Sequence, residues 1–364
     1  MNFEEIIGQK KTVSILSRAL KNQRIPHALL FQGHEGVGKT ATAIALAKSM
    51  LCQKSELYCD DCPDCNRVAQ LSHPDLILIF PALKTAKVEE VKTIRSSISE
   101  NPYLKTELWA KPSISIDTIR NLKKTVALTS FENKGRVIIV LDAHAMTTEA
   151  ANSLLKILEE PPAKVTLILV TSKANQLLST IVSRCQQLKF DPLTREEIEQ
   201  ALIGRNGIEA EQANVIARMS FGNYRRALEL LDEGVKEKQE LMIEVLRKVI
   251  LSDLELMLFV EKMIDQYDVK AIKEMLVLMT VWFRDAMVCE SLKNEADFQD
   301  RLINVDRLEI LKKFTGSFES IDFQKIMEKI EYSIELIDRN VFLNVILFQL
   351  VFELKMLLRR KANV

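Results

Sequence analysis

Gly33-His34-Glu35-Gly36-Val37-Gly38-Lys39-Thr40 satisfies the pattern G-x-x-x-x-G-K-[ST], directly after the strand-like run Ala28 to Gln32 and directly before a helix-forming run. This order commits the chain to a buried strand, a tight glycine turn and a helix whose N-terminus faces that turn. Glycines let backbone amides point at phosphate oxygens, and the helix N-terminus adds partial positive charge. In such a loop Gly33, Gly36 and Gly38 make the turn, Lys39 reaches the β and γ phosphates, and Thr40 can ligate magnesium. ATP with Mg2+ is therefore the expected ligand. A loop that keeps this shape without holding nucleotide stays open as the alternative.

Further apolar runs at Leu76 to Phe80, Val137 to Leu141 and Val165 to Val170 read as buried strands of the same parallel sheet. Helical patterns at Lys39 to Leu51, Ile116 to Leu128 and Thr148 to Glu159 lie between the strands, the alternation of an α/β sheet. All nine prolines lie at or before Pro192, and only five glycines follow it, so the architecture changes near that point. Short helical patterns run from Thr194 to about Gly234, and long amphipathic helices from Leu241 onward. The expected fold class is α/β plus all-α. Residues 1–191 form a P-loop sheet domain, 192–234 a small helical lid, and 235–364 a helical domain.

Arg136 to Asp142 reads as a strand ending in an aspartate placed to help hold magnesium. The next position holds Ala143, where an ATP-hydrolysing site of this kind usually carries a glutamate to orient water. A methyl group cannot polarise water, so hydrolysis at this site should be very slow or absent. Strand alternation turns His144 to the side opposite Ala143. Cys52, Cys59, Cys62 and Cys65 fall within fourteen residues and include two overlapping C-x-x-C steps. Four thiolates at this spacing can close a structural tetrahedral zinc site over 52–65. A redox C-x-x-C and incidental buried cysteines are the competing readings, and Cys185 and Cys289 stand apart.

Lysine and arginine number 50 and aspartate and glutamate 50, a balance that argues against a free-standing grip on DNA phosphates. The start, Met1 to Glu5, lacks the basic-then-apolar pattern of a signal peptide. The most apolar stretch, Val341 to Leu358, is interrupted by Asn344, Gln349, Glu353 and Lys355. A cytoplasmic protein without a membrane span is expected.

The P-loop, the cysteine knuckle just after its helix, and the run from Ala150 to Pro162 (Ala-Ala-Asn-Ser-Leu-Leu-Lys-Ile-Leu-Glu-Glu-Pro-Pro) together resemble the subunits of the bacterial sliding-clamp loader, a branch of the AAA+ proteins. The resemblance runs from about Ile6 to Leu228. It implies that Arg184, in Ser183-Arg184-Cys185, is an arginine finger projecting into the ATP site of a neighbouring subunit. It likewise implies that Thr171 is the polar sensor-1 residue, that Arg225 is the sensor-2 arginine of the lid, and that Ile7 contacts the adenine. The C-terminal helices would be an oligomerisation collar. The implied partners are the gamma/tau and delta subunits in a hetero-pentamer, with sliding clamp and primed DNA met through the complex. Ala143 separates this chain from the ATP-hydrolysing gamma/tau motor subunits and points to the non-motor delta-prime branch; a motor subunit of the same loader is the alternative. The stretch from Lys84 to Lys111 reads as a surface insertion.

Overall fold

The computed structural model describes residues 1–358 apart from 55–56, 107, 127–134, 233–234, 250–251, 293–300, 319–320 and 340; residues 359–364 also lie outside it. The chain divides into two compact units, Met1–Ala213 with Ser220–Glu229, and Asn214–Met219 with Leu230–Val364.

The first unit is built on one parallel sheet of β1 (Ala28–Gly33), β2 (Leu76–Ile79), β3 (Arg136–Val140), β4 (Val165–Thr171) and β5 (Gln186–Phe190). The spatial order is β2-β3-β4-β1-β5. Leu30 stands beside Leu169 on one side of β1 and beside Gln187 on the other. The inner strands are apolar on both faces because helices cover both, and every residue of β3 is buried. β5 has one neighbour only and reads Gln-Gln-Leu-Lys-Phe, with Leu188 and Phe190 buried and the others exposed. This edge strand shows no continuous apolar run because its polar residues face outward while Leu188 and Phe190 turn inward.

Around the sheet run α1 (Lys10–Lys21), α2 (Lys39–Leu51), α3 (Pro63–Ala69), α4 (Val88–Glu100), α5 (Ile116–Val126), α6 (Thr148–Glu159), α7 (Ser179–Val182) and α8 (Arg195–Asn206). The helix expected over Ile116 to Leu128 is described to Val126, its last two positions lying outside the described residues. α2 is buried over nearly its whole length. α5 and α6 pack on one face of the sheet through Ile119, Leu122, Leu154 and Leu158 against Ile138, Val140 and Leu167. α8 starts at a capping box in which the Thr194 hydroxyl accepts from the Glu197 amide at 3.2 Å and the Glu197 carboxylate from the Thr194 amide at 3.0 Å.

The boundary between the units passes through α9 (Ala210–Met219) and α10 (Tyr224–Asp232), so the residues read as a lid over 192–234 are shared between them, with Gly234 outside the described set. The second unit is all-helical: α11 (Val235–Lys248), α12 (Asp253–Gln266), α13 (Val269–Ser291), α14 (Leu308–Gly316), α15 (Phe323–Asp338) and α16 (Leu343–Leu357). α13 packs against α11, α14 and α15, with Trp282 and Phe283 buried edge-on against Phe314. Asp285, wholly buried on α13, accepts from the amides of Ile303 and Asn304 at 2.9 and 2.7 Å and pairs with Arg284 at 2.9 Å. A buried carboxylate so supplied with donors ties the chain before α14 to the longest helix. Among the described residues no helix is long and apolar enough to cross a membrane.

Candidate functional site

The turn after β1 takes the shape its glycines allow. Gly33 and Gly36 lie at φ +151° and +66°, and a Cβ would run into the Phe190 carbonyl oxygen at the first and the Asn223 side chain at the second. The second contact brings the 220–229 segment onto the loop. There the Tyr224 amide donates to the Gly36 carbonyl at 3.1 Å, and Arg225 pairs with Glu35 of the loop. Gly38, at φ +95°, caps the N-terminus of α2.

A cavity of about 460 Å³ opens over this loop. Gly36, Gly38, Lys39 and Thr40 line one end of it together with Asp142, His144 and Arg225. Gly33 supports the loop from the end of β1, while Thr171 lies just behind the wall and is buried. Arg225 also approaches Glu229 at 3.8 Å, and burial lowers its pKa.

Lys39 is buried, and its ammonium donates to the carbonyls of Gly33, at 2.8 Å, and His34. Burial drives its pKa down to about 8, with the Asp142 carboxylate pulling the other way. Asp142 adopts a left-handed backbone at φ +46° and pairs with Lys105 at 3.1 Å.

Past Val140 the chain leaves the strand and turns through a short 3-10 segment over Ala143–Ala145, so strand alternation no longer governs side-chain direction. Ala143 is buried in the core beside α6, and it is His144 that lines the cavity. The His144 Nδ1 and the Thr171 hydroxyl share a hydrogen bond of 3.0 Å. Burial lowers the His144 pKa against the opposing pull of Asp142, which favours the neutral imidazole.

The stretch read as a surface insertion forms much of the rest of the cavity wall. Ile94, Ile98, Tyr103, Leu104, Leu108 and Trp109 line it. Tyr103 is only 4% exposed, and its hydroxyl accepts from the Ile7 amide at 2.9 Å. Its ring meets Tyr224 edge-on at 5.2 Å, and the Arg205 guanidinium lies 5.7 Å from its centre. Burial raises the Tyr103 pKa to about 12, so the hydroxyl keeps its proton. Ile7 is buried and stands apart from the cavity wall, its amide already engaged. The signal that could have found this segment is its composition: Tyr103, Leu104, Leu108 and Trp109 are more apolar than a solvated loop requires.

Asp142 and Thr40 are the groups that would hold magnesium, and the Asp142 Oδ2 already meets the Lys105 ammonium at 3.1 Å. A divalent cation placed there would meet a positive charge on its own ligand.

The four cysteines come together between α2 and α3. Cys52 follows α2, Cys62 caps α3 and accepts from the Cys65 amide at 3.4 Å, and Pro63 takes the first helical position. The Sγ distances are 3.7 Å for Cys52–Cys59, 4.0 Å for Cys52–Cys62 and 3.9 Å for Cys59–Cys65, and all four atoms lie within 4.8 Å of one another. A tetrahedron with metal–sulfur bonds of about 2.3 Å has sulfur–sulfur edges of about 3.8 Å. The cluster can hold a metal ion, and none of its members is in a disulfide. Arg184 stands apart from both sites, at the surface after α7, paired with Glu159 at 2.9 Å and donating to the Thr180 carbonyl at 3.1 Å.

Residues 8–194 match the family described as DNA polymerase III, delta subunit. The chain is 32% identical over 223 residues to the DNA polymerase III subunit delta' of Bacillus subtilis, covering 61% of this chain and 59% of that one. It is 31% identical over 244 residues to the subunit tau of the same organism, covering 64% and 38%. The chain thus spans less than two thirds of the length of these relatives. A solved structure of a gamma subunit-related protein from Thermotoga maritima aligns over 94% of this chain and 99% of its own at 17% identity, with a TM-score of 0.42, a likeness too slight to argue from.

Proposed function

This chain belongs to the DNA polymerase III delta-subunit family, and on that premise we propose that it is the non-motor, delta-prime-like subunit of a bacterial clamp loader. It works in the cytoplasm, assembled with gamma/tau and delta subunits, and meets sliding clamp and primed DNA through that complex. Its own P-loop holds nucleotide weakly or unproductively, and Arg184 serves the ATP site of a neighbouring subunit.

The observation that carries the reading is the chemistry after β3. An ATP-hydrolysing site needs a residue that orients water beside the magnesium-binding aspartate. Here the position after Asp142 is a methyl group turned into the core. Asp142 itself is engaged by Lys105. The neighbouring His144 is tied to Thr171, and its lowered pKa leaves it a weak base. The cysteine cluster fits structural zinc, since four thiolates leave no open position for a reacting water.

The test is purification of the chain alone and with the other loader subunits. The isolated chain should turn over almost no ATP, should carry zinc, and should co-purify with gamma/tau and delta. Vigorous ATP turnover by the isolated chain, abolished by Lys39→Ala, would decide for the motor subunit instead. Failure to enter the assembly would remove the subunit reading altogether.

A further inference from the structure

Asp142 pairs with the Lys105 ammonium, from the segment that follows α4, at 3.1 Å, and its charge also acts on Lys39 of the loop. Lys105 comes from outside the sheet, and the motifs that read as a nucleotide site assign it nothing. Its pairing oxygen, Asp142 Oδ2, belongs to the carboxylate on which a nucleotide-bound magnesium would rest.

The pair itself is partly exposed, at 39% and 26% of the two side chains. Such a contact holds little on its own account. What keeps Lys105 in position is the segment around it. Two residues earlier Tyr103 is sunk against Ile7, Tyr224 and Arg205. One residue later the Thr106 hydroxyl bonds that of Ser97 on α4. Further on, the Trp109 indole donates to Glu90 at 3.3 Å. The ammonium is thus delivered to Asp142 by anchors on both sides of it.

We infer that Lys105 takes the place of magnesium on Asp142, so that this P-loop holds a nucleoside triphosphate without a divalent cation. The inference rests on the reading of the loop as a nucleotide site, and it names how that site is regulated. An ammonium and a divalent cation on one carboxylate repel each other, and Asp142 has a single charge to hold them, so Lys105 on Oδ2 competes with magnesium for this ligand. The ammonium supplies one positive charge where magnesium would supply two and a fixed octahedron of ligands. That difference keeps phosphates weakly held and out of reactive alignment.

The experiment titrates the full-length chain with a fluorescent ATP analogue, with and without magnesium. Wild-type protein should bind no more tightly with magnesium than without it. In Lys105→Ala magnesium should strengthen binding by about tenfold or more, the scale of one recovered contact to a charged group. Lys105→Arg should stay indifferent to magnesium, and Asp142→Asn placed on Lys105→Ala should abolish the gain. Manganese in place of magnesium gives a second readout: on gel filtration with nucleotide the metal should travel with Lys105→Ala and not with wild type. A magnesium effect of equal size in wild type and Lys105→Ala would overturn the inference, and so would a Lys105→Ala protein blind to magnesium. Either result leaves the subunit reading untouched, since that is decided by co-purification and ATP turnover.

Discussion

The ammonium of Lys39 hydrogen-bonds the carbonyls of Gly33 and His34 while its stem is buried beneath the loop. Removing an ammonium from water disfavours its charged form, and here the Asp142 carboxylate offsets only part of that cost, leaving a pKa of about 8. The sign of the consequence follows directly. Below pH 8 the amine is charged and attracts phosphate oxygens; above pH 8 the free protein loses that proton, and a polyphosphate must bring it back in order to bind. Affinity should therefore hold level up to about pH 8 and then fall, by at most about tenfold per pH unit for one linked proton. In Lys39→Arg the guanidinium keeps its charge throughout, so the profile should stay flat. Titrating labelled ATP without magnesium between pH 7.5 and 9.5, in roughly half-unit steps, reads both curves. A wild-type affinity that holds level to the end of that range would mean that the amine keeps its ordinary basicity. Beside Lys39, the neighbours that matter were legible to different degrees. The roles of Gly36, Gly38 and Thr40 follow from motif spacing, which is local. Lys105 and Tyr103 reach the same cavity through tertiary folding; the apolar composition around Tyr103 hints at burial, but nothing local says against what.

At the scale of elements, the strands that could be read from sequence are those covered on both faces, where continuous apolar runs such as Val137 to Val140 are required. β5 carries exposed Gln186, Gln187 and Lys189, so no continuous apolar run marks it. α4 and the chain after it read as a surface insertion because their buried residues pack onto the P-loop side of the sheet unit rather than into a sequence-adjacent core. The knuckle between α2 and α3 was plain, since thiol spacing alone sets what four sulfurs can reach. It also has an energetic role. The closure ties the end of the P-loop helix to α3, assisted by Lys48 with Asp60. With free zinc at roughly a thousand times its dissociation constant, a site of this kind stabilises its fold by about 4 kcal/mol. For a unit of this size that is on the order of 10 °C in Tm. Metal analysis should find about one zinc per chain. A chelator should lower the Tm by that amount, and zinc should restore it. Cys65→Ser should start from the lower Tm and respond to neither. A wild-type protein free of metal and indifferent to chelator would leave the cluster as four packed thiols.

For the molecule as a whole, the proposed function places the P-loop and Arg184 in different ATP sites, one in this chain and one in a neighbouring subunit. The cavity over the P-loop is closed to magnesium by Lys105, and Arg184 lies at the surface away from it. On the proposed reading Arg184 serves the ATP site of a neighbouring subunit. Its pairing with Glu159 is no obstacle, because Arg184 and Glu159 are 38% and 48% exposed and such pairs contribute about 0–1 kcal/mol in water. A triphosphate carries more charge and accepts a guanidinium bidentately, so transfer of Arg184 from Glu159 to a neighbour's γ-phosphate runs downhill. In a reconstituted loader, Arg184→Ala should therefore cut the DNA- and clamp-stimulated ATPase at the adjoining motor site by about a thousandfold or more, the scale of a lost arginine finger. Motor sites that Arg184 does not reach set the residual rate, so the measurement is made with those sites disabled. Arg184→Lys should restore little, because an ammonium lacks the planar fork. Glu159→Gln should leave the rate within about threefold, since it removes only a weak surface pair. Assembly should survive all three changes, as read by co-elution of the subunits. An ATPase unchanged in Arg184→Ala, with the complex intact, would mean that the arginine belongs to Glu159 and to no neighbouring site.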